Sequence, residues 1–198
     1  SINKTELQNA LAVVTKGVSS RSTLPILSGV FIQAFSDKIV FQTTDLELSV
    51  QYSVDTLIEE EGETVVPGKL FSEIVKSLPD AAVSLELIEE SIIITCDATS
   101  FSLRTLNPQD FPSFPVVEAD QNITLPFSQF SSMVKKVARV VSKDESRAIL
   151  TGVLISMENQ HLKMVATDSY RLAITEADIE EPQSDPFEAV IAGSFLQD

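Results

Sequence analysis

The chain has 198 residues, 43% of them hydrophobic, a formal net charge of −15 and a single cysteine. That is enough apolar material for one or two domain cores, with no run of 18 apolar residues to span a bilayer and no internal disulfide for Cys96 to join. So acidic a total argues against nucleic acid as a partner unless the charges are unevenly placed.

In chain order, residues 5–18 read as a helix, with Leu7, Ala10, Leu11, Val14 and Val18 on one apolar face. A polar loop follows at 19–23. Residues 24–34 read as a strand, with Pro25 near its start, where a missing N–H is tolerated. Residues 38–43 and 46–54 alternate and are rich in β-branched side chains, with Thr44 and Asp45 as the turn between them. An acidic loop at 59–63 leads to a short strand at 64–66. Pro67 and Gly68 open a second helix, 69–78, whose core face is expected to be Leu70, Ile74, Val75 and Leu78; Pro79 and Asp80 end it. Three more strands are predicted at 83–88, 91–96 and 100–105. Residues 107–124 hold three prolines without helical periodicity and read as a connection between domains. A helix at 127–142 and strands at 148–157, 161–167 and 170–176 then follow. The class is α+β, with repeated units of about two helices against a mainly antiparallel sheet.

The chain repeats itself. Residues 7–45 lie over 130–168 at an offset of 123 with no gap, and ten of the 39 pairs are identical. They include Ile26/Ile149, Leu27/Leu150, Gly29/Gly152, Thr44/Thr167 and Asp45/Asp168. Chance would give roughly two or three, so the chain holds two copies of one domain-sized unit. The boundaries are expected at 1–118 and 119–198. Residues 190–196 faintly echo 65–71, so the second copy is expected to be incomplete and the chain to be a piece of a longer protein.

Charge is sorted along the sequence. Nine of the 14 basic residues fall in or just after the three helices, while acids gather at 59–61, 86–90 and 176–185. Lys136, Arg139 and Lys143, at i, i+3 and i+7, are expected to share a helix face with no acid before Asp144. The ordinary explanation is a solvated face. Its recurrence on all three helices of so acidic a chain points instead to an anionic partner.

Active-site chemistry is missing. There is no Gly-rich phosphate loop, no Cys/His spacing for zinc, and one histidine, His161, at the start of a strand. No metal or other cofactor is expected. A hydrolase using Asp45 and Asp168 as a pair is conceivable, but a Thr-Asp turn closing a hairpin explains both. Cys96 reads as a strand residue.

Leu24-Pro25-Ile26-Leu27 followed by Gly29, Thr44-Asp45-Leu46-Glu47, Val66-Pro67, Phe101-Ser102-Leu103, Asp110-Phe111-Pro112 and the run from Ala166 to Ala173 resemble, in order, the bacterial sliding clamp family, the β subunit of DNA polymerase III. The resemblance implies a DNA-clamp fold, three copies per subunit, and a head-to-tail homodimeric ring around duplex DNA when full length. It implies a non-enzymatic processivity factor in the bacterial cytoplasm, associated with the nucleoid and with no membrane role. Arg21, Lys69, Lys76 and Lys143 fall where the family touches DNA, without reading sequence. Polymerase III, the clamp loader and repair proteins would insert short apolar peptides at Leu150, Thr167, Tyr170, Arg171 and Leu172. Weak binding is expected because the rest of the pocket wall would lie past Asp198. Phe101 and Leu103 match the edge strand that meets the next subunit. The rival expectation is an acidic two-domain adaptor that binds proteins and never DNA.

Overall fold

The computed structural model describes residues 1–18, 24–115, 123–179 and 186–197. The chain divides into two compact units, Ser1–Val116 and Val117–Asp198.

The first unit begins with β1 (Ile2–Asn3) and α1 (Lys4–Val14). Asn3 caps the helix, its Oδ1 accepting the Thr5 N–H at 2.8 Å. Strands β2 (Gly29–Phe35), β3 (Lys38–Thr44), β4 (Ser49–Asp55) and β5 (Gly62–Pro67) form one antiparallel sheet in the order β4-β3-β2-β5. After α2 (Gly68–Ser77) come β6 (Ala82–Ile88), β7 (Ser91–Cys96) and β8 (Thr99–Arg104). With β1 they form a second antiparallel sheet, β1-β6-β7-β8. Leu7, Ala10, Leu11 and Val14 of α1 and Phe71 and Val75 of α2 join Val30, Ile32, Phe41, Val83 and Ile94 of the sheets in one core. The helix stripes and the strand alternation meet there, which is the main source of stability for elements too short to persist alone.

The second unit repeats the plan with α3 (Phe127–Val137), β9 (Gly152–Glu158), β10 (His161–Thr167), β11 (Leu172–Asp178), β12 (Phe187–Ala192) and α4 (Gly193–Gln197). Its sheet order, β11-β10-β9-β12, is that of the first unit's leading sheet. Met133, Val134, Val137, Val153, Ile155, Leu162 and Met164 make its core.

The echo of 65–71 in 190–196 is structural. A Cβ on Gly29 would lie 2.4 Å from Val65 Cγ1, and one on Gly152 would lie 2.3 Å from Val190 Cγ1. Both glycines let the edge strand approach closely, and in both units the edge strand runs straight into a helix that opens on glycine, Gly68 or Gly193.

Several expectations are corrected. The helix expected over 5–18 ends at Val14, with a 3-10 turn over Thr15–Gly17 and Val18 extended, and the strands expected over 46–54 and 170–176 begin at Ser49 and Leu172, after the turns. Residues 25–28 are not strand but a 3-10 turn that precedes β2, and 145–151 likewise precede β9. The Ser28 hydroxyl donates to Pro25 O and the Thr151 hydroxyl to Ala148 O, each at 2.7 Å, closing equivalent turns before the glycine. The helix expected over 127–142 leaves α geometry at Val137. A 3-10 turn spans Ala138–Val140, Val141 is extended, and the Ser142 N–H donates to Leu150 O at 2.8 Å. Finally, Leu70 is exposed and Phe71 takes its place in the core, because a helix that begins at Gly68 turns Phe71, Val75 and Leu78 inward. Strand β12 lay outside the predicted elements; its half-exposed residues lack a clean alternation.

Candidate functional site

Sequence places two sets of residues at a candidate site, and the structure treats them differently. Of the cations, Lys69 and Lys76 lie on α2, Lys136 on α3, Arg139 in the following 3-10 turn and Lys143 just beyond it. All five are exposed, and among the described residues none enters an ion pair. Arg21 lies outside the described residues. Because α3 ends at Val137, Lys136, Arg139 and Lys143 are not aligned by one helix's periodicity, as the sequence suggested; they follow a chain that tightens and then extends. Asp144, beside them, does not face them as a free acid. Its carboxylate accepts from the Ser146 hydroxyl at 2.6 Å and the Ser146 N–H at 3.1 Å, and binds Arg147 Nε at 3.1 Å. Those bonds, the Ser146 hydroxyl first, hold its pKa below the usual carboxylate value.

The second set gathers around one hairpin. Strands β10 and β11 meet in register at Thr167 and Leu172, joined by a short turn in which Ser169 has φ 76°. Asp168 holds that turn. Its Oδ1 accepts the N–H groups of Tyr170 and Arg171, both at 3.0 Å, and its Oδ2 accepts Arg171 Nε at 3.0 Å. The Thr167 hydroxyl donates to Arg171 O at 2.8 Å. With its backbone so held, the turn projects Tyr170 into solvent at 94% exposure, and Leu172 follows at 61%. Leu150 is half-buried, in the segment that Arg147 ties to the turn through a 3.0 Å bond from Nη1 to Ser169 Oγ. Exposed apolar side chains are ordinary and both units have them; here Tyr170, Leu172 and Ile174 follow one another along one hairpin, and Ile149 precedes Leu150. The first unit departs from this pattern. Its counterparts of Leu150, Tyr170, Arg171 and Leu172 are Leu27, Glu47, Leu48 and Ser49, and Leu27 is fully buried.

Sequence reasoning missed Arg147 and Ser169. Their signal was the spacing Asp-x-x-Arg, which occurs at both 144–147 and 168–171. The paired-Asp alternative loses its motive, since Asp45 does the same local work as Asp168, accepting the N–H groups of Glu47 and Leu48 at 3.0 and 2.7 Å. His161 pairs with Asp178 at 2.6 Å on an exposed strand end. Cys96 is buried in the first core. Phe101 packs on that core and Leu103 is buried in it, while β8 itself is the outer strand of its sheet. Among the described residues, no group of three His, Cys, Asp or Glu could hold a metal ion, and no helix is long and apolar enough to cross a membrane.

The Asp168 turn carries a pH prediction. The Tyr170 N–H is the largest cause of its lowered pKa, with further help from the Arg171 N–H and guanidinium. A carboxyl whose folded pKa lies below its unfolded value stabilises the fold fully above the unfolded pKa of about 3.9, and that contribution is lost as pH falls through the folded pKa. An NMR titration of the Asp168 carboxyl should give a midpoint below the unfolded-peptide value. A midpoint at or above it would remove the turn's electrostatic explanation.

Residues 1–115 match the family described as DNA polymerase III beta subunit, N-terminal domain, and residues 124–197 match the central domain of the same subunit. The beta sliding clamp of Bacillus subtilis is 34% identical over 205 residues, covering 99% of this chain and 54% of that protein. That of Synechocystis is 34% identical over 204 residues, covering 98% of this chain and 52% of its own. Among solved structures, the Bacillus subtilis DNA polymerase sliding clamp superposes with a TM-score of 0.95, covering 99% of this chain and 54% of that one. A Pseudomonas aeruginosa sliding clamp bound to griselimycin gives a TM-score of 0.93 at 27% identity, with coverage of 99% and 54%. The chain spans about half the length of the relatives it matches.

Proposed function

The chain belongs to the DNA polymerase III β subunit family, and on that premise we propose that it is the leading part of a sliding clamp, a non-catalytic processivity factor that holds duplex DNA and tethers partners through a peptide groove on its second unit. The observation that carries this reading is the charge placement. Lys69, Lys76, Lys136, Arg139 and Lys143 stay exposed and out of ion pairs among the described residues, in a chain of net charge −15. An unpaired surface cation is ordinary by itself; what favours an anionic partner is that these five recur on or just after helices while the acids gather elsewhere in the sequence.

Unpaired cations on and just after helices suit phosphates, which are contacted without reading bases and so permit sliding. With the duplex enclosed by a ring, retention comes from topology, and each contact can be weak. That ring would be the full-length homodimer, with β8, bearing Phe101 and Leu103, offering its unpaired edge to the next subunit. Arg21 is proposed to join the DNA contacts. Leu150, Thr167, Tyr170, Arg171 and Leu172 are proposed to receive short apolar peptides from polymerase III, the clamp loader and repair proteins, with Tyr170 and Arg171 rimming the groove. The cytoplasm, at the nucleoid, is the compartment this function requires.

The test is a titration of labelled duplex DNA at several salt concentrations, against the wild-type chain and a variant with those five cations changed to Gln. Weak binding that falls steeply with salt is expected. The variant's log–log slope should be shallower by about one unit for each phosphate it no longer neutralises. Binding that ignores salt, or equal slopes for both proteins, would favour the adaptor. In parallel, griselimycin should shift the NMR signals of Tyr170 and Leu172, and Leu172→Asp should abolish the shift; shifts confined to the first unit would remove the groove.

A further inference from the structure

The two Asp-x-x-Arg segments are built alike and interlock. In each, aspartate Oδ1 accepts the N–H two residues on, from Ser146 at 3.1 Å or Tyr170 at 3.0 Å. In each, Oδ2 accepts the segment's own arginine Nε, at 3.1 Å for Arg147 and 3.0 Å for Arg171. This grip on Nε leaves the outer guanidinium nitrogens free to bridge elsewhere. Arg147 Nη1 donates to Ser169 Oγ at 3.0 Å, and Arg171 Nη2 donates to Arg139 O at 3.1 Å. The turn at 168–171 is therefore tied on one side to the segment that leads into Leu150 and on the other to the end of the α3 region.

The first unit supplies the control. Its equivalent turn has the same carboxylate–backbone bonds from Asp45, and Leu46 there has φ 80°. At the positions of Arg147, Ser169 and Arg171 it carries Leu24, Leu46 and Leu48. That turn forms without arginines, so its backbone does not require them, and in the second unit they add ties from the turn to its surroundings. They occur in the unit that exposes Tyr170 and Leu172.

We propose that Arg147 is a positioning residue for the groove: by bridging Asp144 and Ser169 it fixes the turn that presents Tyr170, so that an apolar peptide meets a pre-ordered surface. The inference rests on the groove reading above. It differs in placing the effect on a residue that acts through Ser169 rather than by touching the ligand. Ordering a loop before binding reduces the entropy lost on association and so tightens it without new contacts.

The test compares Arg147→Ala, Ser169→Ala and the double variant, with griselimycin as probe. Each single variant should weaken binding by about five- to tenfold, with the double no weaker than Arg147→Ala, because both variants remove the Arg147–Ser169 bond that carries the effect. Thermal midpoints should move by no more than about 2 °C, since surface bonds of this kind contribute little to global stability. In the ligand-free protein, relaxation dispersion should show new exchange at the amides of Ser169 and Tyr170. If Arg147→Ala weakens binding while Ser169→Ala does not, Arg147 contacts the ligand directly and the proposal fails. Unchanged affinity in both also overturns it. Should wild type not bind griselimycin, the groove reading fails on its own, and the ligand-free amides decide: unchanged dispersion in Arg147→Ala refutes the positioning role.

Discussion

Phe41→Ala should unfold the first unit under conditions where the second keeps its structure. Phe41 is fully buried in β3, in register with Ile32 on β2 and Tyr52 on β4, and belongs to the core that α1 and α2 cover. Removing a buried phenyl ring forfeits its transfer energy and leaves a cavity, costing about 3–5 kcal/mol. Domains of this size have only about 5–15 kcal/mol in total, so the first unit would become marginal. The two cores share no residue. Amide exchange should therefore accelerate through α1 and β2–β4, while β9–β11 stay protected. Equal loss of protection in both units would mean that the chain folds as one cooperative block.

Gly29→Ala and Gly152→Ala should differ sharply although they are the same change at equivalent places. Both glycines have ordinary negative φ, −89° and −102°, so alanine meets no backbone strain at either. At Gly29 the new methyl would sit 2.4 Å from Val65 Cγ1 and 3.0 Å from Ile26 O. Val65 is fully buried, its branched side chain is stiff, and its carbonyl accepts the Leu106 N–H at 2.7 Å, so β5 cannot step back. Overpacking of this kind costs about 2–3 kcal/mol, a fall on the order of 10 °C in the first unit's melting temperature. At Gly152 the methyl would meet Val190, which is 51% exposed and can turn away. The loss there should stay under about 1 kcal/mol. Calorimetry on the two variants reads the contrast directly, and equal losses would show that the edge strands are equally fixed.

The equivalence of those glycines was visible before any coordinates, and their difference was not. An offset of 123 with ten identities announces two copies of one unit, because the same backbone needs the same small residues at its close approaches and the same aspartate at its turns. The helix stripe at Leu7, Leu11 and Val14 places the core face of α1 correctly, since periodicity records which face is dry. The strand order within each sheet, the 3-10 turns before Gly29 and Gly152, and the choice of Phe71 over Leu70 came from packing between elements distant in sequence, which local pattern does not encode.

The candidate site divides along the same line. The types and approximate positions of its residues were legible: exposed cations after helical stripes, and a Thr-Asp turn followed by Tyr170, Arg171 and Leu172. What the tertiary structure alone decided was how they are held. Hydrogen bonds from Arg147 to Ser169 and from Arg171 to Arg139 span 22 and 32 residues. Sequence spacing carries no record of such bonds, because they depend on where β10 and β11 lay the turn beside the segment that precedes β9. The chain's own order thus determined the repeated unit, its class and its charge sorting. Only folding distinguished the unit whose turn is clamped by two arginines from the one whose turn is not.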